Sequence, residues 1–475
     1  MVCGEYRKNK MALIQLSSAS KLSLVQQIVE QITSLIDKGA LRAGTKMTSI
    51  RLFARQHLIS VHTVAEAFER LVALGYLESR PRSGFFIKRP RPVADKRNPT
   101  EKFARAFDHL WQLRSHLINE PGLLNVTSGK LPKEWMDTDM VKASLKSVAA
   151  KIDSGMMQYG DPYGYLPLRT LLQSKLGDLG IYCQADQILM TQGASQAMDL
   201  IIRYLLRHGD KVLVDDPGYF NLFSNLQMQG IEPLSVRRNH DGPDLDMVEK
   251  LAQQHRPSVM FIQSVLHTPT GSTISPGNAY RLLRLSEQYD FRIVENDAYA
   301  DMLSEQVPRL ATLDQLSRVF YVGSFSKTLF VSARVGYVAA PANAVKDLAN
   351  MKMITSITSA QLSEKLVFHA LTEGLYRRWI DRLKTRLSDS MIETEDMLRP
   401  LGFQLFCRPL GGKFIWVRHP NFESSSDIWK LAADAGIVLA PGKVFRYGMQ
   451  DTPWFRLNVC YGGEPALANL FKSIC

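Results

Sequence analysis

Short amphipathic segments dominate the N-terminal part of the chain. Residues 24–35 carry apolar side chains at helical spacing, a second short helix is expected to begin near Ser49, and Ser60 is a suitable N-cap for a third. Two short strands, 76–79 and 85–87, follow on either side of a basic turn. Three helices and a hairpin predict a winged helix-turn-helix, whose third helix would lie in the major groove of DNA.

Buried strands characterise the rest of the chain. Apolar runs at 211–216, 259–264, 293–297 and 319–323 each end near a carboxylate, a hydroxyl or a glycine. Strands that alternate with amphipathic segments are typical of an α/β fold. Because open α/β sheets bind ligands at the carboxyl ends of their strands, we expect the chemistry of this part to lie in the turns that follow these runs.

The turn after the last of these strands carries the most specific pattern in the chain. Lys327 closes the sequence Ser-Phe-Ser-Lys that begins at Ser324, and Arg334 stands seven residues further on. A lysine amine can form a Schiff base with an aldehyde cofactor, and the serine and arginine can hold that cofactor's phosphate. The segment resembles the lysine motif of class I aminotransferases of fold type I, and the likeness covers roughly residues 121 to 475. It implies a mainly parallel sheet with helices on both faces, a smaller α+β subdomain, and pyridoxal 5'-phosphate (PLP) as cofactor.

Residues at other strand ends fit the same cofactor. The resemblance implies that Asp297 keeps the pyridine nitrogen protonated and that Tyr299 bonds to the phenolic oxygen of the ring, so both are catalytic candidates beside the lysine. Tyr219 follows a Pro-Gly turn and can stack on the ring. Ala194 and Ser195 open a helix after a glycine turn, where backbone amides bind phosphate.

Three further positions extend the resemblance with different degrees of match. Thr268 stands in a Thr-Pro-Thr-Gly turn where the family normally has an asparagine that contacts the cofactor oxygen. Arg456 matches the arginine that grips a substrate α-carboxylate, although a surface arginine is the alternative. Tyr159 matches the tyrosine that reaches across a dimer to the neighbour's phosphate, although it can equally be a packed loop aromatic.

The N-terminal pattern resembles the GntR family of DNA-binding domains. The matching segments are residues 36–41, Arg51, the pair Ser60 and Thr63, residues 75–77 and the wing 80–86. The resemblance implies DNA contacts from side chains around the third helix and in the wing, namely Arg51, Ser60, His62, Thr63, Arg80, Arg82 and Ser83.

Two positions depart from the GntR pattern. Thr48 stands where the family usually has proline, and Val61 stands where it usually has an arginine that touches DNA. We therefore expect the recognition helix to lack one anchoring phosphate or base contact. A basic helical bundle can also be a soluble cap or a protein-interaction domain, and that alternative stays open from the residues alone.

Charge separates the two parts of the chain. Residues 1–97 contain 17 Lys and Arg against 7 Asp and Glu, a net charge of +10, whereas residues 98–475 carry 41 against 39. A small basic module beside a nearly neutral domain indicates a polyanionic partner for the module. Together the two resemblances indicate a MocR-type GntR regulator. Its expected domains are a winged helix-turn-helix (15–90), a linker with a docking helix (91–120) and a PLP-binding domain (121–475).

Composition excludes several other classes. The five cysteines are scattered without a CxxC pair or a histidine at metal spacing, which predicts reduced thiols, no metal site and a cytoplasmic protein. Apolar runs of about 20 residues are missing, so no membrane span is expected. The first ten residues are not followed by the apolar segment of a signal peptide.

Two functions of different class remain open from the sequence. The first is a transcriptional regulator that senses PLP or a PLP–amine adduct, works as a homodimer and binds two half-sites on double-stranded DNA. The second is a working aminotransferase with a DNA-binding appendage. Both need Lys327, Asp297, Tyr299, Arg334 and Arg456. We favour the regulator, with an amine or amino acid as effector and residual transamination left open.

Overall fold

The structure is a computed structural model in two compact units, Met1–Asn98 and Pro99–Cys475. The residues it describes are 14, 16–17, 22–37, 40–41, 43–80, 83–88, 123–152 and 154–474. The expected linker and docking helix at 91–120 therefore lie entirely outside the described residues, as does Arg82 of the wing.

The described residues of the first unit form three helices and a hairpin, as the sequence predicts. Its elements are α1 (Leu24–Asp37), α2 (Ile50–Gln56), α3 (Val61–Ala73), β1 (Leu77–Arg80) and β2 (Gly84–Ile87). The two strands are antiparallel, with Leu77 opposite Ile87. Lys46 forms an additional antiparallel bridge to Phe86 and so ties the segment before α2 to the wing.

Aliphatic and aromatic side chains from all three helices form the core of this unit. Ile28 and Ile32 of α1, Phe53 of α2 and Phe68 of α3 are completely buried, and the two phenyl rings meet edge to face. The predicted stripe on α1 is turned slightly, because Val25, Val29 and Ile36 are buried while Leu24 and Leu35 are only half-buried.

The second unit is built on an eight-stranded sheet. Its strands in spatial order are β4 (Ile188–Thr191), β11 (Gly336–Ala339), β10 (Val319–Ser324), β9 (Arg292–Asp297), β8 (Val259–Ile262), β5 (Lys211–Asp216), β6 (Glu232–Asn239) and β7 (Gly242–Pro243). Strands β10, β9, β8, β5 and β6 run parallel. Strand β11 is antiparallel to both of its neighbours, and β7 turns back on β6. The fold is α/β with a mainly parallel sheet, as expected.

Both faces of this sheet are buried. In β8, Met260 and Ile262 belong to one hydrophobic cluster, and Val259 and Phe261 belong to a separate cluster on the opposite face. This explains why the strands read as unbroken apolar runs rather than as alternating patterns. The helices in the described residues of the unit are α4 (Thr138–Ala150), α5 (Leu166–Asp178), α6 (Ala194–Leu205), α7 (Phe220–Gln229), α8 (Leu245–His255), α9 (Pro276–Gln288), α10 (Leu310–Asp314), α11 (Ala342–Ser356), α12 (Gln361–Thr372), α13 (Leu375–Leu398), α14 (Ser425–Asp434) and α15 (Pro465–Ile474).

A smaller antiparallel sheet forms the α+β part of the second unit. Its order is β12 (Gln404–Leu405), β13 (Phe414–Arg418), β16 (Phe455–Asn458) and β15 (Ala440–Pro441). A separate pair joins β14 (Ile437–Val438) in parallel to β3 (Leu124–Asn125), so the start of the unit is fixed to its C-terminal part.

Within the described part of the chain, no helix has the length and apolar character needed to span a bilayer. The same residues contain no group of three or more His, Cys, Asp or Glu side chains suited to hold a metal ion.

Candidate functional site

The carboxyl ends of the parallel strands open onto one cavity in the second unit. Nearly all of the residues predicted to hold the cofactor or substrate line it, although they come from distant parts of the chain. The lining consists of Gly129, Ala194, Ser195, Tyr219, Phe220, Gln263, Thr268, Asn296, Ala298, Tyr299, Ser324, Ser326, Lys327, Arg334, Phe414 and Arg456.

Lys327 lies just beyond the end of β10 and is half-buried. Burial, with smaller contributions from the Arg456 and Arg334 guanidinium groups, lowers the pKa of its amine to about 8. A Cβ atom on Gly129 would stand 3.0 Å from its Nζ, so only a glycine leaves the amine its present space. With a pKa of about 8, roughly a tenth of this amine is neutral at pH 7, which allows it to act as a nucleophile.

A cradle for an anion lies at the start of α6. Gly193 precedes this helix with φ +79°, and a Cβ atom there would lie 2.8 Å from Arg334 Nη2. The Arg334 guanidinium also donates to Ser326 Oγ at 3.3 Å and to the Gln192 carbonyl at 3.4 Å. A helix N-terminus that faces a guanidinium and serine hydroxyls is suited to a phosphate group.

Asp297 is the last residue of β9 and is buried beneath the cavity. Its Oδ2 atom accepts hydrogen bonds from Arg309 Nε and from the Tyr321 hydroxyl, both at 2.8 Å. Its Oδ1 atom is buried and has no hydrogen-bond partner among the described residues. A carboxylate with one oxygen fixed and the other free can accept a bond from a protonated pyridine nitrogen, so the residues present fit PLP.

Aromatic and amide side chains complete the walls around this carboxylate. Burial raises the pKa of Tyr299 to about 12, which keeps its hydroxyl protonated and able to donate. Tyr219 lines the cavity beside Thr268, and burial raises its pKa as well. The Oδ1 atom of Asn296 is also buried without a partner in the described structure, an acceptor that the sequence did not suggest.

Arg456 projects from β16, where its neighbours across the ladder are Trp416 and Ala440. Its Nη2 donates to the Thr127 carbonyl at 2.7 Å. Its guanidinium carbon lies 4.0 Å from the ring centre of Phe414. Burial lowers the pKa of Arg456 to about 10. A cation held by aromatic rings and a backbone carbonyl, and directed into a cavity, is suited to a carboxylate ligand.

Lys413 is a second lysine at this site, and the sequence predictions missed it. Its side chain is only 1% exposed, and its Nζ donates to the Gly129 carbonyl at 2.7 Å. The amine also lies 5.7 Å from the ring centre of Tyr299. Burial, followed by repulsion from Lys327, lowers the pKa of Lys413 to about 7. The available signal was a lysine placed between two glycines and the apolar strand that begins at Phe414.

Tyr159 does not reach the cavity of its own chain. Its side chain is 79% exposed and follows a short helical turn, Ser154–Met157, in which Met157 is exposed as well. Lys365 of α12 contacts this turn at Met156 Sδ, at 3.2 Å. The segment therefore presents an aromatic and a methionine side chain on the surface of the second unit.

The predicted DNA-contacting residues of the first unit fall into two groups. Ser60 caps α3, because its Oγ accepts from the Thr63 amide at 3.0 Å and lies 2.7 Å from the Thr63 hydroxyl. Arg51 on α2 and His62 on α3 are exposed. The hydroxyl pair thus fixes the first turn of the helix, and the arginine and histidine face outward.

The wing carries the second group. Arg80 ends β1, where its Nε lies 3.3 Å from Glu78 and its guanidinium stands 4.4 Å from the Phe86 ring centre. Ser83 is exposed in the turn before β2. The predicted contact at Arg82 lies outside the described residues.

Comparisons with known proteins agree with this division of the chain. Residues 121–474 match the family of class I and II aminotransferases, and residues 24–87 match the gntR family of bacterial regulatory proteins. A Bacillus subtilis (strain 168) protein named as the uncharacterized HTH-type transcriptional regulator YdfD is 26% identical over 468 residues, 96% of this chain and 95% of that relative. The 2-aminoadipate transaminase of Thermus thermophilus is 27% identical over 337 residues, 69% of this chain and 83% of that enzyme.

A solved structure shows the same fold in the second unit. LysN, the α-aminoadipate aminotransferase of Thermus thermophilus, superposes with a TM-score of 0.71 at 24% identity and covers 79% of this chain and 98% of its own. That crystal contained N-(5'-phosphopyridoxyl)-L-leucine. The chain belongs to the class I and II aminotransferase family and carries a gntR-family helix-turn-helix domain in front of it, which is the architecture of MocR-type transcriptional regulators.

Proposed function

We propose that this protein is a DNA-binding transcriptional regulator whose second unit binds PLP at Lys327 and senses PLP, alone or together with an amine or amino acid. The observation that carries the proposal is the cavity itself. Around it a lysine of lowered pKa, an anion cradle at Gly193 and the buried, unpartnered Oδ1 oxygen of Asp297 occur together. PLP supplies an aldehyde that reacts with amines and a ring that withdraws electrons.

The amine and the carboxylate define the two ends of the proposed cofactor site. Lys327 would supply the amine that meets the aldehyde, and its lowered pKa keeps part of that amine uncharged at neutral pH. Asp297 Oδ1 would accept a hydrogen bond from the protonated ring nitrogen, while Arg309 and Tyr321 donate to Oδ2 and keep the carboxyl group in place. These two neighbours are positioning residues, since they act through Asp297.

The remaining cavity residues orient the cofactor. The backbone amides of Ala194 and Ser195, the hydroxyl of Ser324 and the guanidinium of Arg334 would hold its phosphate. Tyr219 would pack against the face of the ring.

Different side chains would contact the phenolic oxygen of the cofactor ring and the carboxylate of the effector. Thr268 and the protonated Tyr299 line the cavity where they can bond to the ring oxygen, and the free Asn296 acceptor lies beside them. Arg456 would bind the carboxylate of an amino-acid effector, because its buried guanidinium favours a charged, planar acceptor. An amino acid therefore suits the cavity better than a simple amine.

In the first unit we propose that the outward-facing side chains contact DNA. Arg51 and His62 would contact DNA beside the α3 N-terminus that Ser60 and Thr63 form. The wing would contribute Arg80, Arg82 and Ser83. The net charge of +10 over residues 1–97 supports a polyanionic partner.

We further propose a homodimer, in which Tyr159 of each protomer contacts the phosphate site of the other. We expect the purified protein to sediment as a dimer. We also expect Tyr159→Phe to weaken PLP binding by about tenfold, as loss of one hydrogen bond to a charged group predicts. The measurement is a PLP titration. Tyr182→Phe is the matched control, because Tyr182 is 74% exposed elsewhere on the unit. A stable monomer with full PLP occupancy would contradict the proposed dimer.

Coupling between the two units is the direct test of the proposed function. We expect PLP, or PLP with the right amino acid, to change the affinity for DNA from the gene's own promoter at least tenfold, or about 1.4 kcal/mol of coupling. Lys327→Ala should remove this response. By reciprocity, operator DNA must change the affinity for PLP or the effector by the same factor.

The salt dependence of DNA binding is a separate test. Neutralisation of about six phosphates per module predicts a slope near −5 for the logarithm of the DNA-binding constant against the logarithm of the salt concentration.

The alternative function is an aminotransferase with an appended DNA-binding domain. It is favoured by the retention of Lys327, Asp297 and Arg456 in one cavity. Rapid turnover of an amino donor with a keto acid, combined with DNA binding that is indifferent to PLP and to a broad amine panel, would replace the regulator proposal with this one.

A further inference from the structure

The recognition helix α3 has one face in the core and its first turn in solvent. Val64, Phe68 and Leu71 are completely buried. Val61, at the first helical position, is 51% exposed, and His62 beside it is exposed too. In helix-turn-helix domains the first turn of the recognition helix meets the edges of the bases. Val61 therefore stands where sequence is read.

This helix contains no cation where base contacts are made. Between Val61 and Glu69 there is no lysine or arginine, and the first basic residue, Arg70, lies in the last turn. Guanine is usually recognised in the major groove by an arginine or lysine that binds its O6 and N7 atoms. The first two turns of α3 have no such side chain, so a guanine contact of this kind is unavailable to them.

Val61 offers an aliphatic surface in place of a donor. The major groove exposes one apolar group, the C5-methyl of thymine, and aliphatic side chains recognise thymine through it. The cap at Ser60 fixes the backbone of this turn, since it binds the Thr63 amide and hydroxyl. The β-branched side chain is therefore presented with little freedom to move away.

We propose that Val61 reads the C5-methyl group of a thymine in each half-site, so that the operator requires T rather than G at that position. The inference rests on the proposed DNA binding by the first unit. It assigns a base preference to a residue that supplies no hydrogen bond.

The test uses the full-length protein and its own promoter fragment, narrowed by footprinting. Each thymine of the footprint is replaced singly by deoxyuridine, which keeps the base pair and removes only the methyl group. We expect one thymine per half-site at which the replacement weakens wild-type binding about fourfold, the equivalent of one buried CH₂ group. In the Val61→Ala protein the same replacement should not weaken DNA binding further, because the side chain that contacts the methyl group is already absent.

Two additional variants sharpen the result. Leu74→Ala is the matched control, because Leu74 is 56% exposed at the other end of α3, and it should keep the full sensitivity to the methyl group. Val61→Arg should shift the preference at the identified position from T to G. Both changes replace exposed side chains and should leave folding intact.

The outcomes separate this inference from the proposed function. If salt-dependent, site-specific binding persists but no thymine depends on its methyl group, or if Val61→Ala keeps the full dependence, the role of Val61 is wrong and DNA binding stands. If neither the promoter fragment nor any other duplex is bound, the proposed function fails and the thymine contact fails with it.

Discussion

Lys327→Ala is expected to abolish the visible absorbance that the wild-type protein gains with PLP, and also the covalent pyridoxyl group recovered after borohydride reduction. The reason is that the Lys327 amine, whose pKa is lowered to about 8, is the nucleophile that the strand ends place in the cavity. Absorbance spectra and peptide mapping measure both effects. Weaker, non-covalent binding should remain through Ser324, Arg334 and the amides of Ala194 and Ser195.

The other buried lysine of the site provides the control. Lys413→Met leaves the Lys327 amine in place, so reduction should still label Lys327. A pyridoxyl group on Lys413 in the wild-type protein would contradict the assignment, because it would mean that the amine bonded to the Gly129 carbonyl is the reactive one. If neither lysine carried the pyridoxyl group, the proposed covalent PLP site would be wrong.

Local patterns were sufficient to predict most of the site. Lys327, Asp297 and Tyr219 lie at or just after the ends of apolar strands, and the parallel arrangement of those strands brings their carboxyl ends to one edge of the sheet. The capped helices of the first unit were predictable for a similar reason. Ser49 and Ser60 each bind an amide three residues later, and such caps depend only on neighbouring residues.

Residues that act through distant contacts were not predictable. Tyr321 lies inside a buried strand and reads as core, yet its hydroxyl donates to Asp297, 24 residues away in sequence. Arg309 reaches the same carboxylate from the loop before α10. Lys413 bonds to Gly129 across 284 residues of sequence. The Tyr321 contact depends on β10 and β9 being neighbours in the large sheet, and the Arg309 and Lys413 contacts depend on where loops distant in sequence pack, which periodicity does not encode.

The antiparallel edge of the large sheet was not predictable either. Strands β4 and β11 are four residues long and completely buried, and β11 runs against both neighbours. Short apolar runs of this kind give no sign of strand direction. The direction of β4 matters for the site, because this strand leads into the Gly193 turn and the anion cradle at the start of α6.

Lys413→Met is expected to stabilise the second unit near pH 7. The wild-type amine is buried, and its pKa is about 7 instead of its ordinary 10.5. Because the unfolded chain binds more protons between these two values, the group's contribution to stability becomes more favourable as pH rises from about 7 to 10.5. Below pH 7 the Lys413 amine is charged in both the folded and the unfolded state, and its burial lowers the stability of the wild-type protein by the full amount.

Methionine removes that cost but leaves the Gly129 carbonyl without its donor, a loss of roughly 1–3 kcal/mol. The net gain at pH 7 should be about 2 kcal/mol, since a shift of this size corresponds to roughly 4–5 kcal/mol before that loss. At pH 10 the gain should have disappeared or reversed. Denaturant titrations of the apo-protein, followed by tryptophan fluorescence, measure the difference. All six tryptophans lie beyond residue 98, so the signal reports the second unit alone.

Lys346→Met is the matched control, because Lys346 is an exposed lysine on α11 and its replacement should change stability little at any pH. A Lys413→Met protein that is less stable than wild type by the same amount from pH 7 to 10 would mean that the Lys413 amine is charged and well paired in the folded protein. The pH-dependent gain, by contrast, would mean that burial and the nearby Lys327 disfavour the charged form of the Lys413 amine in the folded protein.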